Sequence, residues 1–179
     1  MSSGRLLGLC GSLRAASFNA MLMRDAAAAF DAETFREANL RFPLYDGDLE
    51  EAEGIPAEVQ TLSDQIAEAD AVIIVGPEYN KAISGVLKNA LDWVSRTEGQ
   101  PWLQKPVAIL SATAGRSGGE CAQVSMRECL AAFRPRLVLG PAVLVGSAFS
   151  AFEDGHLTNE MNRKALNGLM EELRRAAGL

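Results

Sequence analysis

The sequence predicts a doubly wound α/β fold, a five-stranded parallel sheet with helices on both faces, and three observations carry that expectation. Strand-like and helix-like segments alternate five times with short connections, the pattern of parallel crossover units. The strand candidates at residues 6–10, 71–75 and 107–110 are continuous apolar runs, as strands covered on both faces require. The segments after the first and third of them concentrate the unusual polar residues, where open α/β sheets bind ligands.

The first strand candidate, 6–10, runs into Gly11-Ser12-Leu13-Arg14-Ala15-Ala16-Ser17-Phe18-Asn19, and an Ala- and Met-rich helix follows to residue 30 with Ser17 as its N-cap. Residues 34–40 mix apolar and charged side chains, so a second strand there suits a sheet edge. Pro43, Asp46 and Gly47 mark 42–48 as a loop. Pro56 opens a helix whose Val59, Leu62, Ile66 and Ala69 recur with helical period, and the third strand, 71–75, comes next. Pro77-Glu78-Tyr79-Asn80 then leads to a helix over 84–96, with Val86, Leu87, Ala90, Leu91 and Val94 on one stripe. A fourth strand at 107–110 precedes a Gly-rich loop, 111–119, and a helix to residue 133. The apolar run 137–145 is cut by Gly140-Pro141, which predicts an interrupted or bent fifth strand, and a last helix spans 158–177. With the most polar strand at an edge, the order is 2-1-3-4-5, and the switch point falls between strands one and three.

A chain of 179 residues with 48% hydrophobic content suits one domain over its whole length. Its net charge of −6 argues against a nucleic-acid binder, which needs clustered Lys and Arg. No apolar run approaches the roughly 20 residues of a membrane span, and a strand-like segment begins at once without a cleavable leader, so a soluble cytoplasmic protein is expected. Cys10, Cys121 and Cys129 are odd in number and lack Cys-x-x-Cys spacing, which predicts neither disulfides nor a metal site. His156, the one histidine, sits in a turn-like Asp154-Gly155-His156 and reads as a solvated residue, so a Ser-His-Asp triad is not expected.

The first loop suits a phosphate. Helix N-terminal N–H groups favour an anion, Ser12, Ser17 and Asn19 add donors, and Arg14 offers a planar fork to two oxygens. The bland alternative is a capped helix beside a surface arginine. Neither Gly-x-x-x-x-Gly-Lys-Ser/Thr nor Gly-x-Gly-x-x-Gly occurs, which disfavours nucleoside-triphosphate and dinucleotide loops. Cys10 and Arg14 have three residues between them, too few to wrap a phosphate as the cysteine phosphatases do with five, so Cys10 reads as a small apolar residue. Pro77, Glu78, Tyr79 and Asn80 put an aromatic ring and polar groups at the carboxyl edge of the sheet, where a flat heterocycle can pack. The loop with Ser111, Thr113 and Gly115 lies beside it and offers backbone groups at close approach. A monophosphate on one loop and a flat heterocycle on the next describe flavin mononucleotide (FMN).

Gly11 to Asn19, Pro77 to Asn80 and Leu87-Lys88-Asn89-Ala90-Leu91-Asp92-Trp93 resemble the signatures of the NAD(P)H-dependent FMN reductase family, which includes the bacterial quinone and chromate reductases. The resemblance extends to Leu44-Tyr45-Asp46-Gly47-Asp48 and 115–119, most of the chain. It implies a flavodoxin-like fold, a homodimer or homotetramer, tightly bound FMN, and NADPH or NADH as co-substrate. Carried over by position, Ser12, Arg14, Ser17 and Asn19 would hold the phosphate, with backbone around Leu13 and Phe18. Pro77, Glu78, Tyr79, Asn80 and the loop with Ser111, Thr113 and Gly115 would line the isoalloxazine. Ser84, where many relatives place proline, and Lys81, near the expected mouth, depart from the pattern. The expected activity is two-electron transfer from NAD(P)H to quinones or similar small acceptors, including chromate, azo compounds or free flavin. It would run ping-pong at one shared site with no side chain assigned as acid or base. The alternative is a non-catalytic flavodoxin-like electron carrier.

Overall fold

The computed structural model describes residues 4–179, arranged as β1 (Arg5–Cys10), α1 (Phe18–Phe30), β2 (Thr34–Glu37), α2 (Gly47–Glu53), α3 (Ala57–Glu68), β3 (Ala71–Val75), α4 (Gly85–Val94), β4 (Pro106–Ala112), α5 (Glu120–Ala131), β5 (Arg136–Val145), α6 (Ala148–Ala151), β6 (Phe152–Glu153), β7 (His156–Leu157) and α7 (Glu160–Ala177). The main sheet is parallel in the order β2-β1-β3-β4-β5, as the sequence predicts, and β6 and β7 form a separate small hairpin. β3 is buried at every position, which explains its unbroken apolar sequence. Side-chain alternation divides the core between the two faces. Leu6, Ile73 and Leu110 meet Leu22, Phe30, Met170 and Leu173 of α1 and α7, while Leu7, Leu9, Val72, Ile74 and Ile109 meet Leu62, Ile66, Leu87, Leu91 and Met126 of α3, α4 and α5.

Helix starts follow the capping rules. Ser17 Oγ accepts the Ala20 N–H at 3.4 Å, and Ser84 Oγ accepts that of Leu87 at the same distance. Ser84, one of the departures from the resembled pattern, is therefore the N-cap of α4.

Two expectations are corrected. Residues 42–48 are not loop throughout, because Asp46 accepts the Asp48 N–H and starts α2 at Gly47. β4 extends through Ser111 and Ala112, which pair with Leu144 and Val145, so the third loop begins at Thr113. His156 is exposed, as expected, and from the hairpin its Nδ1 also lies 2.9 Å from Asp25 Oδ1 on α1. The interruption expected in β5 is present. Ala108 pairs with Val138 but Leu110 pairs with Val143, so β5 bulges around Gly140-Pro141.

At the opposite end of the sheet from the strand carboxyl edge, Arg5 and Asp70 join β1 to the start of β3. Asp70 accepts the Arg5 backbone N–H at 2.8 Å and its guanidinium at 3.0 Å, and Arg5 holds the carboxyl below the usual range. A depressed folded pKa gives stability that is present above the unfolded value of about 3.9 and lost as pH falls through the folded value. Asp70→Asn should therefore unfold at lower urea concentration than wild type near neutral pH, and the gap should close as pH falls below about 4. A gap that stays constant across that window would contradict the assignment.

Candidate active site at the strand carboxyl edge

The loops after β1, β3 and β4 enclose a crevice of about 570 Å³ at the switch point, within the size range of cofactor sites. Its walls include Ser12, Arg14, Ser17 and Phe18 from the first loop, Pro77, Glu78 and Tyr79 from the second, and Thr113 and Gly115 from the third. Gly11 lets the first loop start here: a Cβ on it would strike Leu87 and sit 2.8 Å from Ser84 Oγ.

The first loop has features that favour an anion. α1 has no acidic residue in its first turn, so nothing competes for the partial positive charge at its N-terminus. Ser17 takes one of the four free N–H groups of that terminus. Arg14 is exposed and makes no side-chain hydrogen bond among the described residues. Cys10, by contrast, is held protonated: burial pushes its thiol up, which removes the thiolate that phosphatase chemistry needs.

Several expected residues also make bonds within the protein, Asn19 among them although it lines the crevice. The Asn19 side chain is 4% exposed and spends its amide on one backbone position, donating to Ala112 O and accepting from Ala112 N, both at 2.9 Å. Its backbone N–H remains at the helix start. Ser111 is buried, donates to Gly118 O at 2.6 Å and accepts from Gln123 Nε2 at 3.0 Å, so its hydroxyl fixes the third loop from beneath. Leu13 contributes a carbonyl that Arg41 binds at 2.9 Å, and its side chain is not part of the crevice wall. Asn80 also lies outside the wall and serves the turn, with φ of 51°.

The second loop is a tight hairpin. Tyr79 and Ala82 exchange both backbone hydrogen bonds at 3.1 Å, and Asn80 and Lys81 between them both have positive φ. This holds Tyr79 with half of its surface exposed at the crevice. Glu78 turns toward α5 instead of outward: its Oε2 accepts the N–H groups of Cys121 and Ala122 at 3.0 and 3.2 Å. Gly119, the α5 N-cap, has no side chain to do this, so Glu78 caps the helix from another loop.

Sequence reasoning missed Phe149, which reaches the wall from α6. Its ring packs edge-on against Phe18 at 5.2 Å, and Phe152 lies 5.3 Å from Phe18 on the other side. Arg116 and Ser117 also line the third loop. The Leu87 to Trp93 motif acts at one remove, since Asn89 Nδ2 and Trp93 Nε1 both donate to Pro43 O and Asn89 Oδ1 accepts the Tyr45 N–H.

The sequence signature of the family described as NADPH-dependent FMN reductase matches residues 5–150. The chain belongs to this family. It is similar to an NAD(P)H-dependent FMN reductase of Pseudomonas aeruginosa, with 37% identity over 172 residues covering 94% of this chain and 92% of that one. It is 36% identical to the quinone reductase of Escherichia coli over 173 residues, covering 94% and 91% of the two chains. Among solved structures it resembles the flavoenzyme NAD(P)H:(acceptor) oxidoreductase FerB of Paracoccus denitrificans, with a TM-score of 0.87, 29% identity and coverage of 98% and 97%. The flavodoxin-like fold of the family is the one described above.

Within this family member, Asn19 is a test of where a polar residue acts. Asn19→Ala leaves the buried N–H and C=O of Ala112 without partners, and it should lower the stability of the flavin-free protein by about 2–4 kcal/mol in urea unfolding. Weakened flavin binding with unchanged apo stability would show instead that the side chain serves the ligand.

Proposed function

We propose that the chain binds FMN in this crevice and catalyses two-electron transfer from NADPH or NADH to small-molecule acceptors, quinones foremost. The observation that carries the reading is the junction of two unlike surfaces at one switch point. An uncompensated helix N-terminus with a free Arg14 lies on one side, and a rigid turn presenting Tyr79 lies on the other. These fit a phosphate attached to a flat ring system.

Ser12, Arg14 and Ser17, with the backbone N–H groups of Phe18 and Asn19, would hold the phosphate. Pro77, Glu78, Tyr79 and the loop through Thr113 and Gly115 would line the ring, with Asn80, Leu13 and Ser111 maintaining the loops. Bound FMN supplies the redox relay, since no side chain of the crevice undergoes a two-electron change. In each turnover NAD(P)H and one proton are consumed with a quinone, giving NAD(P)⁺ and hydroquinone. The exposed Tyr79 and Phe149 leave the crevice open enough for donor and acceptor to use it in succession. An electron carrier is the lesser reading, since the family is one of reductases.

A cytoplasmic location is supported by the three cysteines, all free. Assembly as a homodimer or homotetramer is carried over from the family resemblance.

The purified protein should show an oxidised flavin spectrum that bleaches on anaerobic addition of NADPH or NADH. A flavin that stays oxidised under excess of both would remove the reductase activity. Arg14→Ala should weaken FMN binding by about 1.5–3 kcal/mol, roughly 10- to 150-fold in Kd by flavin fluorescence titration, the range for loss of a charged hydrogen bond. Unchanged affinity would remove Arg14 from the phosphate site.

A further inference from the structure

The crevice carries a charge opposite to that of the protein. Its wall holds Arg14, Lys81 and Arg116 against a single carboxylate, Glu78, in a chain whose net charge is −6. Arg14 stands with the phosphate elements at the start of α1. Lys81 stands on the opposite loop, beside the exposed ring of Tyr79.

Two features bear on the position of Lys81. It is the second central residue of the Tyr79 to Ala82 hairpin, with φ of 66°, a conformation that asparagine and glycine tolerate and a long side chain resists. Asn80 suits its position, whereas Lys81 is held against its preference, and backbone strain of this kind is characteristic of sites that position a functional group. The second feature is Glu78, whose Oε1 lies 3.5 Å from Lys81 Nζ while its Oε2 is occupied by the two N–H groups of α5. Glu78 is 12% exposed and Lys81 75% exposed in their side chains. The carboxylate thus divides its contacts between the α5 N-terminus and the ammonium. The outcome is a positive charge at the mouth of the crevice, reaching into solvent next to the surface where an acceptor must dock.

We infer that Lys81, beside Glu78, makes this reductase select quinones that carry an ionised acidic substituent over neutral quinones of the same skeleton. The inference rests on the FMN-dependent reading above and names the acceptor class for it. The attraction acts on approach and docking, where a charge of fixed sign raises the encounter rate of an oppositely charged substrate. The chemistry is unchanged: the quinone gains two electrons and two protons, a hydride equivalent coming from NAD(P)H and one proton from solvent, while the acidic substituent stays ionised.

The test isolates the acceptor from the charges of NAD(P)H. FMN-loaded protein is photoreduced anaerobically and mixed in a stopped-flow instrument with a naphthoquinone or with its sulfonate derivative, and flavin reoxidation gives a second-order rate constant for each. The sulfonate-to-neutral ratio should fall about tenfold in Lys81→Gln. Lys81→Gly, which relieves the turn and removes the charge, should behave as Lys81→Gln, and Lys81→Arg should restore the wild-type ratio. The wild-type sulfonate rate should also fall as salt rises from about 20 mM to about 500 mM, with the neutral rate steady. A ratio unmoved in Lys81→Gln or Lys81→Gly, or not restored in Lys81→Arg, overturns the inference and leaves the reductase reading intact. Protein that takes up no FMN, or whose FMN ignores NAD(P)H, overturns both.

Discussion

The arrangement of the crevice depends on a single buried amide. Asn19, in the first turn of α1, holds both the N–H and the C=O of Ala112, a residue 93 positions away at the end of β4. Apolar packing of α1 on the sheet has no direction of its own, and a helix held only by it is free to settle at neighbouring offsets. Two directional bonds in a water-free setting remove that freedom. They place the N-terminal N–H groups of α1 level with the loops after β3 and β4. The rest follows along the same helix: Phe18 meets Phe149 and Phe152, and Asp25 binds the Leu157 N–H and His156 of the small hairpin.

The remaining loops are tied by the same device, polar groups sunk below the surface and bonded to one another. Ser111 and Gln123 form a buried chain that reaches Gly118 O and Val143 O, linking β4, α5, β5 and the third loop. Gly118 and Gly119 both have positive φ, and a Cβ on Gly118 would meet the Leu144 backbone at 2.5 Å, so the loop folds down only because these positions have no side chain. Glu78 completes the set by bonding the second loop to α5. The crevice is thus walled by loops whose shape is set from underneath, while the groups that face the opening, Arg14, Tyr79 and Arg116 among them, are left to contact a ligand.

Much of this was legible in the sequence because the relevant signals are local. Continuous apolar runs mark β1, β3 and β4, the polar 34–37 segment marks an edge, and Ser17 marks a helix start, so order and switch point followed without long-range information. What the sequence could not reveal is where a polar side chain points. Asn19 and Ser111 have the residue types of ligand contacts, yet each also bonds a backbone partner that only tertiary structure brings near. Glu78 likewise reads as part of a pocket lip, and its role as the cap of α5 depends on residues 43 and 44 positions away. Phe149 carried no motif, and reaches the site only because α6 folds back toward Phe18. The start of α2 at Gly47 was hidden by a Pro, Asp and Gly composition that suits a loop and a capped helix equally.

The bulge in β5 has a consequence for the molecule in solution. β5 forms one border of the sheet, and an open border with regular N–H and C=O groups is a template on which another chain can add a strand. Here the ladder skips from Val138 to Val143, and within the skipped stretch Pro141 has no N–H to offer. Leu139 stands 70% exposed at that point, the kind of apolar side chain that would make such an addition favourable. The misregister and Pro141 thus make the border that carries this exposed leucine a poor template for an added strand.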